Sequence, residues 1–345
     1  MSIVVSHPSP VDPGIDRGAA SRSSSVTVAS VLVEPTLRER IGAVIELTKP
    51  GITRMVTITS GVGFILAAIG RGREMSELAL PAIGCLIGTA LSSSGANALN
   101  QWWERTRDGQ MPRTAGRPLP EARLTSGAAL LAGFTLAVFG ILTLLVLCGP
   151  APALVSLVTI LWYLLLYTPL KPLTPLNTLV GAIPGALPPL IGWTATAPVF
   201  GIDSIGGLSV LSEPGGWSLF FLMVVWQIPH FLAIAWMYRD DYAKGGYRML
   251  PIVDPTGHAT ATTIMVWSVT LLIVSIAPAF VLADRLSPVY GLFAALSGLW
   301  FIARCVRLYR SRTQANARSV FIASIIHLPL ILLVMVFDAV VVRLV

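Results

Sequence analysis

Apolar stretches long enough to cross a lipid bilayer recur along almost the whole chain after residue 50, each supplying the roughly 20 residues that a helical span requires. Nine such runs are read, at approximately 52–70, 78–100, 124–147, 151–168, 177–195, 217–237, 261–283, 287–303 and 320–342. They are continuous in Leu, Ala, Ile and Val, whereas a spanning barrel needs alternating segments of about 10 residues. The expected fold is therefore all-α, a polytopic transmembrane bundle of about nine helices filling residues 41–345. Of the 345 residues 54% are hydrophobic and only 12% charged, a balance foreign to a water-soluble globular domain. Residues 1–40 lack an apolar run and are expected to form a disordered tail, with Thr36-Leu37-Arg38-Glu39-Arg40 beginning an amphipathic approach to the first span.

The basic residues orient this bundle. Assigned to alternate sides of nine spans, twenty of the 24 Lys and Arg fall on the side of the N-terminus, leaving only Arg71, Arg73, Arg285 and Arg343 opposite. The positive-inside rule then places the N-terminus and the long loops in the cytoplasm. A bacterial inner membrane is the expected location, with the mitochondrial inner membrane as the alternative. The net charge of +7 lies in short loops between spans, so it argues for topology and an anionic ligand and against nucleic acid. Cys85, Cys148 and Cys305 all fall in or beside apolar runs and read as small packing residues.

Chemistry is concentrated where the second span leaves the membrane. Asn100, Glu104 and Asp108 are spaced i, i+4, i+8 and share one helical face, with Asn97 joining at i−3. Such a ladder of oxygens suits Mg²⁺, a hard cation usually completed by water and substrate phosphates. The following Gly- and Pro-shaped loop carries Arg113 and Arg117, guanidinium groups fitted to phosphate oxygens. A solvated charge cluster at a helix end is the plainer reading, and a second acidic site weighs against it. That site is Asp240-Asp241, emerging after the sixth span on the same expected side. Within the sixth span, Gln227 and His230 are pocket candidates, because polar side chains at membrane depth normally face a bundle interior. His230 lies roughly 16 Å deeper than Asp241 at helical rise, and a helix-packing hydrogen bond is its equal alternative. His327 reads more readily as a packing residue and His258 as a loop residue.

At these residues the sequence resembles the UbiA family of intramembrane prenyltransferases. Asn100-x-x-x-Glu104-x-x-x-Asp108 is similar to the family's first acidic motif, with Glu at the middle position. The resemblance extends through Asn97 to Trp102, Arg113 to Pro120, Tyr167 to Lys171, Thr174 to Asn177, Gly185 to Trp193, Trp226 to Phe231 and Arg239 to Pro251. The second motif departs from the family: Tyr238 and Tyr242 stand where it places two acids, and Asp240 and Asp241 are adjacent instead. The resemblance implies Mg²⁺ held by Asn100, Glu104, Asp108 and by Asp240 or Asp241. It further implies farnesyl diphosphate as donor, its diphosphate neutralised by Arg113, Arg117, Lys171, Lys244 and Arg248. Heme b is implied as the acceptor substrate, in a pocket with Asn97, Gln227 and His230, and other heme-pathway or oxidase assembly proteins as partners. An aromatic acceptor, or a non-catalytic transport or assembly role, is the rival reading.

Overall fold

The computed structural model describes residues 36–72, 74–197 and 206–344; Arg73 and the greater part of the expected tail, residues 1–35, lie outside the described residues. Residues 35–345 form one compact unit. The helices run in the order α1 Leu37–Leu47, α2 Pro50–Arg71, α3 Met75–Asp108, α4 Ser126–Cys148 and α5 Pro150–Leu161, then a π-helical turn Trp162–Tyr167 and α6 Thr168–Leu170. They continue with α7 Asn177–Ala186, α8 Pro188–Thr194, α9 Pro214–Met237, α10 Arg239–Lys244, α11 Leu250–Val253, α12 His258–Ile276, α13 Pro278–Val281, α14 Pro288–Arg310 and α15 Gln314–Leu344. No strand occurs among the described residues.

Residues 37–40, placed in the tail by the sequence, are the first turn of α1. The reason is local: Thr36 accepts from the Glu39 backbone while the Glu39 carboxylate accepts from the Thr36 backbone, a reciprocal cap. Leu37, Ile41 and Ile45 stay exposed at i, i+4, i+8 while Ala43 and Leu47 are buried, the pattern of a helix lying along an apolar surface.

Eight helical stretches among the described residues are long and apolar enough to cross a membrane. The ninth expected run, 177–195, forms as α7 and α8, interrupted at Leu187. Pro184, Pro188 and Pro189 are the cause, since each lacks an N–H and clashes with the preceding turn. Pro184 releases the carbonyl of Val180, and the indole N–H of Trp162 takes it at 3.0 Å. That freed carbonyl is thereby satisfied inside the bundle, as irregular backbone at membrane depth must be.

Glycine and alanine bring helices into backbone contact. On α3 and α4, Gly88, Gly95, Gly133 and Gly140 face one another so closely that a Cβ at Gly95 would strike the Ala137 backbone and one at Gly140 the Ser92 backbone. Gly63 of α2 and Gly192 of α8 meet in the same way, against Pro189 and Ser60. Small residues of this kind replace the hydrophobic drive that is missing between helices in lipid. α9 occupies the centre: 72% of its apolar stretch is buried, against 22% for α4.

The two ends of the bundle differ. At one end Arg71 donates to both carboxylate oxygens of Glu213 at 2.8 Å and to Thr196 at 2.8 Å, and Trp193 Nε1 donates to Glu213 at 2.7 Å. Arg285 lies over the Trp193 ring and donates to the Leu66 carbonyl at 2.9 Å, tying α2, α8 and the approach to α9 together. At the other end gather the basic loops: Arg107 donates to the Gly245 carbonyl, Arg248 to that of Leu173, and Gln314 to that of Met237. Arg71 and Arg285, two of the four basic residues that the alternation sets apart, thus share one end.

Candidate active site

At the basic end α3 carries its oxygen ladder out of the bundle, and partners arrive from two distant segments and from the loop that follows α3. Glu104 is 5% exposed and Asp108 1%, although both are carboxylates at the end of a span. Each is paired. Lys171 Nζ donates to both Glu104 oxygens at 2.8 and 3.0 Å, and Arg117 donates to Asp108 Oδ2 at 2.6 Å. Asn100, fully buried, accepts from Lys49 Nζ at 2.9 Å and donates to Thr168 Oγ1 at 3.1 Å. Two carboxylates thus face three cations, a cluster of formal charge +1 with Lys49 protonated.

The local structure explains how these groups arrive. The π-helical turn lets Thr168 donate to the Tyr163 carbonyl five residues back at 2.9 Å, turning Thr168 and Lys171 towards α3. Lys171 Nζ lies 4.7 Å from the Tyr167 ring centroid and 5.7 Å from that of Tyr247. Burial opposes its charge, but the Glu104 carboxylate and the surrounding tyrosines outweigh this and hold the ammonium well above the usual lysine range. Lys49 sits just before Pro50 in the left-handed region, φ 50°, a conformation that L side chains rarely adopt. Strain of this type costs on the order of 1–3 kcal/mol and collects at functional sites. Burial, with Arg117 and Lys171 nearby, lowers the Lys49 ammonium to about 7.

The second segment folds over the first. Met111 packs with Tyr247 and Met249, and Arg107 lies over the Tyr247 ring. Tyr247 is buried, with its hydroxyl directed at Glu104. Tyr238 and Tyr242 hold Arg113, whose guanidinium stands 5.1 and 5.4 Å from their ring centroids and donates to the Tyr242 hydroxyl at 3.4 Å. Asp240 is 88% exposed and reaches Arg239, 3.7 Å away on its own helix; Asp241 is half-buried in the first turn of α10. Lys244 and the Arg248 side chain are exposed, while the Arg248 backbone donates to the Lys171 carbonyl at 2.9 Å and accepts from Asn177 at 3.1 Å.

Of the residues singled out from the sequence, the structure unites Asn100, Glu104, Asp108, Arg117 and Lys171. Arg113 stands on the tyrosines instead. Asn97 donates to the Thr48 carbonyl and to Thr53, both at 3.3 Å, pinning the α1–α2 corner to α3. Gln227 donates to the carbonyls of Ala182 and Met223 at 3.1 Å, bracing α7 against α9. His230 lies between α9 and α15, its Nδ1 2.7 Å from Ser324 Oγ. Lys49, Thr168 and Tyr247 were not singled out. Only the Lys-Pro-Gly start of α2, with a cation just ahead of a helix-initiating proline, offered a signal for the first.

The donor set matches a hard divalent cation. Asn100, Glu104 and Asp108 offer oxygen ligands, and the Tyr247 hydroxyl stands beside Glu104. Among the described residues no three His, Cys, Asp or Glu side chains gather in a way that holds a metal by themselves, so oxygens of a bound substrate would have to complete the shell.

Known proteins agree with this architecture. The profile of the UbiA prenyltransferase family matches residues 56–326. The protoheme IX farnesyltransferase of Solibacter usitatus is 42% identical over 299 residues, covering 85% of this chain and 97% of its own. Those of Opitutus terrae and Salinibacter ruber are 36% and 37% identical, covering 88% and 85% of this chain and 97% and 96% of their own. Among solved structures, a digeranylgeranylglyceryl phosphate synthase superposes with a TM-score of 0.69 at 16% identity, over 87% of this chain and 99% of that one. A UbiA homologue from Archaeoglobus fulgidus, bound to GPP and Mg²⁺, gives 0.56 at 14% identity, over 88% and 100% of the two chains. With the family profile spanning most of the bundle, and relatives well above 30% identical along almost their entire length, the chain belongs to the UbiA prenyltransferase family.

Proposed function

We propose that the protein transfers the farnesyl group of farnesyl diphosphate to a vinyl group of protoheme IX, with addition of water, giving heme O and diphosphate. The observation that carries the donor half is the buried Asn100, Glu104, Asp108 ladder closed by Lys49, Lys171 and Arg117. The names of the relatives carry the acceptor half.

Charge balance supports the donor. A diphosphate ester carries about three negative charges, and with one Mg²⁺ about one, which the +1 cluster offsets at the mouth of a low-dielectric bundle. Asn100, Glu104 and Asp108 would hold the metal; Asp240 would join them if α10 turned inward, and Asp241 stands closer to burial. Bound there, Mg²⁺ supplies Lewis-acid stabilisation of the diphosphate oxygens as negative charge builds on the leaving group. Arg117 and Lys171 orient those oxygens, with Arg113, Lys244 and Arg248 around the rim. As the C1–O bond breaks, the electron pair leaves with diphosphate and an allylic cation remains. The vinyl π-electrons form the new C–C bond, the positive charge moves to the carbon next to the porphyrin, and water adds there and loses a proton. The rings of Tyr167 and Tyr247 beside Lys171 shield this end from bulk water. By the positive-inside rule the mouth faces the cytoplasm, in a bacterial inner membrane.

The test is the purified protein with farnesyl diphosphate, heme b and Mg²⁺, with mass spectrometry of the extracted heme. The expected product is heme heavier by a farnesyl and a hydroxyl group, absent when EDTA exceeds the metal. Glu104→Gln and Asp108→Asn should each lower its rate about 10²-fold or more while the protein remains inserted and monodisperse. Full product formation in both variants would refute the metal assignment, and an unmodified heme from the wild type would refute the acceptor.

A further inference from the structure

The histidines within the apolar stretches of α9 and α15 are engaged differently. His327 of α15 has partners at both ring nitrogens: Nδ1 lies 2.8 Å from Ser297 Oγ and Nε2 3.4 Å from Ser275 Oγ. His230 of α9 has one, Ser324 Oγ, 2.7 Å from Nδ1. Ser324 also donates to the Phe321 carbonyl at 2.6 Å. A hydroxyl has a single hydrogen; directed at the carbonyl, as the shorter 2.6 Å separation favours, it leaves the Ser324 oxygen to accept from Nδ1. The hydrogen between the two side chains therefore belongs to Nδ1, and the lone pair of the neutral ring is left on Nε2. No hydrogen bond is made by Nε2 among the described residues, and it is not one of the sealed unpartnered atoms of the core.

The helix geometry shows where that lone pair opens. Phe221, 54% exposed, marks the outward face of α9. His230 follows nine residues later, and at 100° per residue it stands half a circumference away. His230 thus points away from Phe221, along the seam with α15, where it meets Ser324 and Phe321. The ring is fixed there, stacked on Trp226 at 4.6 Å and on Phe321 at 5.3 Å between centroids. Trp226 is itself anchored through Nε1 to the Ser324 carbonyl at 2.8 Å.

We propose that His230 Nε2 is an axial ligand for the iron of the heme substrate, positioning the porphyrin in the bundle. The proposal rests on heme being the acceptor. A neutral imidazole with its other N–H tied to an oxygen, and its plane locked by neighbours, is the form in which histidine ligates metals best, and loss of such an outer partner typically weakens metal affinity 10- to 100-fold. His327, with both nitrogens occupied, is the internal control.

The experiment is titration of the full-length protein in detergent with ferric heme b, followed by visible absorption and electron paramagnetic resonance. Wild type should show a histidine-ligated spectrum. His230→Gly should lose it and weaken heme binding about 10-fold or more, free imidazole should restore it, and Ser324→Ala should weaken binding with a smaller spectral change. Imidazole rescue requires a folded pocket; should the glycine variant not fold, His230→Gln serves in its place, with loss of the signature as its readout. His327→Gln should leave the spectrum unchanged. A wild-type spectrum retained in His230→Gly or His230→Gln would overturn the proposal, even if farnesyl transfer proceeds. A His230-dependent spectrum without any farnesylated product would uphold the ligand and refute the proposed reaction instead.

Discussion

Lys49 shows how much one side chain can be asked to do at the edge of a membrane. Its backbone is held in a left-handed conformation, its ammonium reaches Asn100, and its charge brings the cluster from neutral to positive. Lys49→Met should therefore lower kcat/KM for farnesyl diphosphate by about 10-fold or more, since hydrogen bonds to charged groups contribute roughly 1.5–3 kcal/mol, and leave the KM for heme unchanged in steady-state assays. The sequence did not disclose this role, because Lys49 and Asn100 are 51 residues apart and a tally of basic residues treats every loop lysine alike. The shared face of Asn100, Glu104 and Asp108 was legible, since helical spacing is local. The adjacent Asp240 and Asp241 attracted attention as acids, while it is the aromatic pair Tyr238 and Tyr242 that engages Arg113. Cation–π pairing between loops leaves no periodicity in a sequence.

Among the elements, α3 and α4 depend on the absence of side chains where their backbones touch. Gly95→Leu forces the two helices apart and should destabilise the protein by about 1–3 kcal/mol, seen as a lower thermal midpoint in detergent. Gly127, in the first turn of α4, has open space where a Cβ would stand, with nothing within 4 Å, so Gly127→Ala should be neutral or stabilising by up to about 1 kcal/mol in the same measurement. Long spans were readable from hydropathy, since lipid demands continuous apolar length. The broken α7–α8 pair was readable only as a kink. Its prolines announce a disturbance, but the Trp162 indole that heals the backbone comes from another helix. The π-helical turn is hidden altogether, being a matter of hydrogen-bond register within a uniformly apolar run.

As a whole molecule the bundle is polarised, with basic loops and the acidic ladder at one end and the Arg71, Glu213, Trp193 and Arg285 knot at the other. The three cysteines are buried, so single cysteines placed at Glu121 and Asp284 can be labelled against a low background in intact cells and inverted vesicles. Position 121 should react with an impermeant maleimide only from the cytoplasmic face and position 284 only from the opposite one; the reverse pattern would invert the topology. The knot also bears on turnover. It fastens α2, α8 and the start of α9 at the end away from the oxygen ladder, so the incoming ester and the spent pyrophosphate are expected to share one doorway in opposite directions. Added pyrophosphate should then inhibit competitively against the donor and non-competitively against heme, and the clearance of that doorway, more than the bond-making itself, becomes a natural place for the cell's pyrophosphatase to set the pace.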